Sequence, residues 1–165
     1  MKKLWIVMAV ALLAAGCSGP SGYETVEDVY AEQTLPAPQE ISVLLPADAS
    51  VQTMEKDGET LYLCDGYSVI LQTMESGDLD ATLRAVTGYG REQLPVMELE
   101  GDEMDRYECI WLSAGEGGDQ MGRAVILDDG NYHYTVSLLA EAEQVGALAE
   151  TWQDILSSIN LNIGR

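Results

Sequence analysis

From Ile41 onward the spacing of apolar and polar residues changes period several times, and each change marks an element. Ile41-Ser42-Val43-Leu44-Leu45, ended by Pro46, predicts a first strand. Thr60 to Cys64 and Tyr67 to Thr73 flank Asp65-Gly66, a dipeptide that supplies positive φ in a two-residue type I′ turn, so a hairpin is expected. Between Asp78 and Thr87 the period lengthens. Leu79, Leu83 and Val86 share one helical face, Ser76 or Asp78 can cap the start, and Gly88 suits the position just past the end. Strands are expected from about Leu94 to Leu99 and from Arg106 to Ser113, around Gly101-Asp102-Glu103, followed by a loose loop from Ala114 to Gln120.

Arg123 to Asp128 and Asn131 to Leu139 form a second expected hairpin across Asp129-Gly130. A two-residue turn there sets Leu127 opposite Tyr132, Val125 opposite Tyr134 and Arg123 opposite Val136 on the core face. Ile126 then faces His133, and Ala124 faces Thr135, on the other side. The clearest helix comes last: Val145, Leu148, Ala149, Trp152, Ile155, Leu156 and Ile159 keep helical spacing, while Glu143, Glu150 and Asp154 point away. Such a helix must pack on the sheet, where burial of Trp152 or Ile155 contributes on the order of 2 to 3 kcal/mol each. The pattern as a whole predicts an α+β domain over 41–165. It has a single antiparallel β-sheet of about six or seven strands, one short inserted helix and one long C-terminal helix.

This order, closing on Tyr132-His133-Tyr134-Thr135-Val136 and Trp152-Gln153-Asp154-Ile155-Leu156-Ser157-Ser158-Ile159, resembles the PsbP-like domains from about Ile41 to Leu161. The resemblance implies an extrinsic, membrane-associated accessory protein of a binding or assembly kind. No catalytic or ligand motif transfers with it.

The opposite end of the chain bears on location. Lys2-Lys3 precede the apolar run Leu4 to Ala15, which is too short to span a bilayer and ends in small residues before Cys17. Leu13-Ala14-Ala15-Gly16-Cys17 resembles the lipobox of bacterial lipoproteins, with Ala14 where leucine is commoner. An uncleaved anchor or a cut elsewhere is the plainer alternative. The resemblance implies a signal peptide at 1–16 and a diacylglyceryl lipid on Cys17, the one covalent group expected in the absence of any cofactor. It places the protein at the cell membrane, lipid-anchored on the extracytoplasmic face. Residues 17–40 carry Gly19, Pro20, Gly22, Pro36 and Pro38 among scattered acids and read as a tether spanning roughly 25 Å as a flexible coil. Within it, Thr25-Val26-Glu27-Asp28 has the form of a capping box.

Charge narrows the partners. All 28 acidic residues follow Cys17, and loss of Lys2 and Lys3 with the signal takes the net charge from −20 to −22. Such a surface is repelled by nucleic-acid phosphates, anionic lipid heads and polyanionic wall polymers, so membrane contact falls to the lipid. A cationic face of another exported protein is attracted, although solubility alone accounts for the excess.

Candidate chemistry is sparse. Cys64 and Cys109 sit in expected strands, and an exported location permits a disulfide between them; two reduced, buried thiols fit the sequence equally. His133 reads as a solvated or hydrogen-bonded strand residue, and with one histidine a closed zinc site is a poor fit. Glu98, Glu100, Asp102, Glu103 and Asp105, with Glu108 nearby, are weak calcium candidates without the spacing of an EF-hand loop. Gly115, Gly117, Gly118 and Gly122 lack a following lysine, and Glu116 and Asp119 repel phosphate, so this stretch reads as a hairpin loop. These readings favour a noncatalytic binding or assembly lipoprotein, with contacts guessed at the Gly115 to Asp119 loop and the acidic hairpin. A small carboxylate-based envelope hydrolase and a weak calcium-binding lipoprotein are the alternatives.

Overall fold

Strand alternation in the chain's second half is satisfied by one sheet whose central strands are covered on both sides. The computed structural model describes residues 34–52, 58–102, 104–115 and 118–162, with the backbone alone at 51 and 52. The signal segment, Cys17, the capping box at Thr25–Asp28, Glu103, Glu116 and Gly117 lie outside the described residues. The strands are β1 (Glu40–Ser42), β2 (Ser50–Gln52), β3 (Glu59–Cys64), β4 (Tyr67–Glu75), β5 (Val96–Leu99), β6 (Asp105–Gly115), β7 (Gly118–Asp128), β8 (Tyr132–Glu141) and β9 (Asn160–Asn162). Among the described residues two α-helices, α1 (Leu79–Thr87) and α2 (Val145–Ser157), and a short 3-10 turn at Arg91–Gln93 complete the fold. Seven strands make an open sheet in the order β2-β3-β4-β8-β7-β6-β5, every neighbouring pair antiparallel. The expected first strand forms only as β1, which pairs with the unanticipated β9 outside that sheet.

The short helix forms as the capping residues dictate. Asp78 accepts from the Asp80 N–H at 3.0 Å, and Gly88, at φ 81°, closes the end with its N–H on the Arg84 carbonyl. Leu83 is fully buried against Tyr107, Cys109, Trp111, Ala124 and Ile126 on one sheet face. On the other face α2 sets Trp152, Ile155 and Leu156 against Val69, Val125, Tyr134, Val136 and Leu138. The domain is therefore helix, sheet, helix in three layers.

Three local expectations are corrected. The first hairpin has its two-residue turn, with Cys64 opposite Tyr67, but only Gly66 is left-handed at φ 79° and Asp65 keeps negative φ, so the turn is not type I′. In the second hairpin Leu127 faces Tyr134 rather than Tyr132. Asp128 Oδ1 accepts from the Gly130 N–H at 2.8 Å, while Asp129 Oδ1 accepts from the N–H groups of Asn131 at 2.9 Å and Tyr132 at 2.8 Å. These bonds widen the loop and shift the register by two residues, which preserves every side-chain face. Finally, the loop expected from Ala114 to Gln120 is mostly strand, since β6 and β7 stay paired to Gly115 opposite Gly118.

Candidate functional site

On the α2 face the helix covers the middle of the sheet and stops short of β5 and β6. Arg106 Nη2 reaches the Leu156 carbonyl at 3.2 Å and Arg123 Nη1 reaches Gln153 Oε1 at 3.1 Å, which marks the border of the covered area. Between the two arginines lies Glu108, 2.9 Å from Arg106 Nε and 3.1 Å from Arg123 Nη2. Burial opposes ionisation of Glu108, yet the hydrogen bonds from Arg106 and Arg123 outweigh it and hold its carboxyl below the usual range. Beyond this border the same face is bare: Met97 is 52% exposed, Leu99 47%, Ile110 48% and Leu112 55%. Cross-strand pairing places Met97 opposite Glu108 and Leu99 opposite Arg106, so the apolar residues and the charged trio share one surface.

Two hollows flank this surface, one of about 200 Å³ lined by Pro95, Met97, Glu108, Cys109, Ile110 and Arg123, and one of about 280 Å³ lined by residues including Tyr89, Leu94, Ile110 and Leu112. They share Pro95 and Ile110. An apolar patch left by a strand with large side chains on both faces is the form a protein-contact surface takes. A signal for it stood in the sequence. Cys109-Ile110-Trp111-Leu112 is an unbroken apolar run, fit for a strand covered on both sides, but only Cys109 and Trp111 find cover.

The chain enters the domain beside β8, level along the strands with Leu99, which lines up through Arg106 and Leu127 with Tyr134. Tyr132 Oη donates to the Pro36 carbonyl at 2.8 Å, and Tyr134 Oη accepts from the Gln39 N–H at 3.0 Å while donating to Asp129 Oδ2 at 2.9 Å. From Asp128, beside this anchor, to Asp119, opposite Ala114, β7 runs about 30 Å at ~3.3 Å per residue.

The acidic candidates do not converge. Glu98 pairs with Arg91 at 2.7 Å, Asp105 Oδ1 accepts from the Gly101 N–H at 3.4 Å, and Glu100 and Asp102 are exposed. Glu108 points to the opposite face and is held by arginines. Among the described residues no three His, Cys, Asp or Glu side chains come together in a way that could hold a metal ion. The considered Cys64–Cys109 bridge is corrected outright: both thiols are free. Cys64 on β3 packs on the α2 face and Cys109 on β6 lies in the α1 layer, with β4, β8 and β7 between their strands. Four strand spacings put them roughly 19 Å apart in the sheet direction, far beyond disulfide reach. Burial raises the Cys109 thiol to about 11, against a hydrogen bond to the Ala124 backbone that lowers it.

Of the two readings of His133 the hydrogen-bonded one holds and the solvated one does not: the ring is fully buried, because β8 is central and α1 covers it. Its Nδ1 is hydrogen bonded to Thr82 Oγ1 at 2.6 Å, and its Nε2 lies 3.2 Å from Asp128 Oδ2 and 3.4 Å from Ser76 Oγ. Hydroxyl, imidazole and carboxylate stand in the order of a hydrolytic triad. Thr82 is itself buried, so no substrate meets the hydroxyl, and the chain of bonds serves to lock α1 onto the sheet.

No protein-family model matches this chain, and no curated protein matches it. Solved structures share its fold at low identity. The cyanobacterial PsbP (CyanoP) of Synechocystis sp. PCC 6803 superposes with a TM-score of 0.54 at 10% identity, over 89% of this chain and 98% of its own. A protein of Bacteroides thetaiotaomicron VPI-5482 gives 0.51 at 10% identity over 74% of this chain; the match spans 45% of that protein's length. LpqN, involved in cell envelope biogenesis of Mycobacterium tuberculosis, gives 0.39 at 10% identity over 78% of this chain and 82% of its own, too low to bear on the fold. The layout is PsbP-like, with an open antiparallel sheet, a short inserted helix and a long C-terminal helix.

Proposed function

We propose that the protein is a noncatalytic binding or assembly module, lipid-anchored through Cys17 outside the cytoplasmic membrane, that presents the bare face of β5 and β6 to another exported protein. One observation carries the reading: Met97, Leu99, Ile110 and Leu112 stand exposed together on a face where α2 leaves off. The surface runs from Leu99, level with the entry residue Tyr134, to Leu112, about 20 Å further along the sheet, and this far end supports presentation. Tethering confines the surface near the membrane and raises the effective concentration of a weak contact. The buried hydroxyl of Thr82 and the burial that raises the Cys109 thiol support a noncatalytic role. The PsbP-like fold is in keeping with it, as an analogy.

Proximity labelling from the full-length, membrane-bound chain tests this directly. A reproducible exported protein is expected, and it disappears in the double variant Ile110→Glu/Leu112→Glu while thermal stability is retained. Recovery of random neighbours only, or the same partner from wild type and variant, overturns the proposal.

A further inference from the structure

The binding-module reading, on which this proposal rests, leaves the mode of contact open, and the edge of β6 supplies one. Pairing of β5 with β6 stops at Val96 opposite Cys109. The next step of that register sets Pro95 opposite Ile110, and proline has no N–H to give, so the ladder ends there. β6 nevertheless continues to Gly115, paired only on its β7 side. Tyr89 Oη donates to the Leu112 carbonyl at 2.8 Å from the unpaired side. Because a strand residue sends its N–H and C=O to the same side, the Leu112 N–H and both backbone groups of Ala114 face that open edge as well. None of them has a backbone partner across it among the described residues.

We propose that the open edge of β6 from Ile110 to Ala114 accepts an extended, basic segment of another exported protein as an added strand. Main-chain hydrogen bonds would supply affinity, and alternate apolar side chains would enter the two hollows that share Pro95 and Ile110. The basic character follows from charge. The chain carries −20 overall, Asp119 stands opposite Ala114 in the register, and the nearby cations Arg91 and Arg123 are already engaged by Glu98 and Glu108. The same charge sets a second copy of this chain against the site. Tyr89 occupies the acceptor that an incoming N–H needs and therefore acts as a removable cap.

The probe is a short acetylated, amidated peptide of alternating lysine and valine, added to the full-length chain in detergent micelles and followed by amide hydrogen exchange. Exchange at the Leu112 and Ala114 N–H groups is expected to slow by about tenfold or more at saturation, with other edges unchanged. A version methylated on alternate backbone nitrogens and a glutamate–valine version are expected to give no protection. Tyr89→Phe, which frees the Leu112 carbonyl, is expected to tighten binding about twofold to tenfold. Protection absent at those two amides, spread over the whole domain, equal with the methylated peptide, or produced by dimerisation of this chain without peptide overturns the proposal. If labelling still returns a partner that depends on Ile110 and Leu112 while these amides stay unprotected, strand addition fails and the binding-module reading stands. Protection without such a partner sinks that reading and leaves the edge site in place.

Discussion

The indole of Trp111 lies against Gly122 so closely that a Cβ at that position would clash with the ring carbons. The two residues face each other across β6 and β7, and Trp111 is buried there. Glycine is thus required by the side chain opposite, not by a loop. Gly122→Ala is expected to lower stability by about 1 to 3 kcal/mol through overpacking, read from the urea midpoint. Adding Trp111→Leu should recover part of that loss, because the two positions are coupled. Additive effects in the double variant would refute the contact.

That contact also shows where the sequence was and was not legible. Periodicity located α1, α2 and the strands from β3 to β8, since each buries a face whose spacing is fixed by local geometry. The caps at Asp78 and Gly88 were readable because they act within four residues of themselves. Gly122 was grouped with Gly115 to Gly118 as loop because its reason, Trp111, comes from another strand. For His133 the sequence leaves solvation and hydrogen bonding open for the same kind of reason: alternation tells which residues share a face, whereas the covering of that face by α1, which selects the hydrogen-bonded case, is a tertiary fact. The bare surface of Ile110 and Leu112 reverses the case, since an apolar run implied cover that the fold does not provide. Cys64 and Cys109 could be placed in strands, but their separation depends on strand order.

Thr82 holds His133 at the junction of α1 and β8. Thr82→Val keeps the shape and leaves Nδ1 of a fully buried ring without its partner, at an expected cost of about 1 to 3 kcal/mol. Thr82→Ser keeps the oxygen and is expected to recover most of it. Urea unfolding of both variants decides the matter, and equal losses in the two would show that the methyl group rather than the hydrogen bond matters.

The cysteines predict behaviour under redox conditions. Cys109, buried and with its thiol raised to about 11, should resist alkylation at pH 8 until the domain unfolds. Cys64 is half-buried, and burial raises its thiol first, against the neighbouring Tyr67 hydroxyl, with Asp48 adding to the rise. It should react slowly in the native state. Dithiothreitol should leave the melting temperature unchanged, and a drop on reduction would contradict the separation of the two strands.

Acid exposes a different part of the design. Burial works against the ionised Asp129 carboxylate, but the N–H groups of Tyr132 and Asn131, the Tyr134 hydroxyl and the Gln39 amide outweigh it and hold its pKa below the usual carboxylate value. A group depressed in the folded state adds stability that is complete above its unfolded pKa, about 4, and is lost as pH falls through the lower folded value. Glu108 behaves in the same direction through Arg106 and Arg123. Self-repulsion of a chain at −20 relaxes as other carboxylates protonate, so stability should rise from pH 7 toward about 5 before it falls below 4. In Asp129→Asn the amide oxygen can still accept hydrogen bonds but carries no charge, so the gap from wild type should be present above about pH 4 and close at lower pH. Urea midpoints for the two proteins across pH 2 to 7 test this, and a gap that persists unchanged at the acid end would place the stabilisation elsewhere than in the ionised carboxylate.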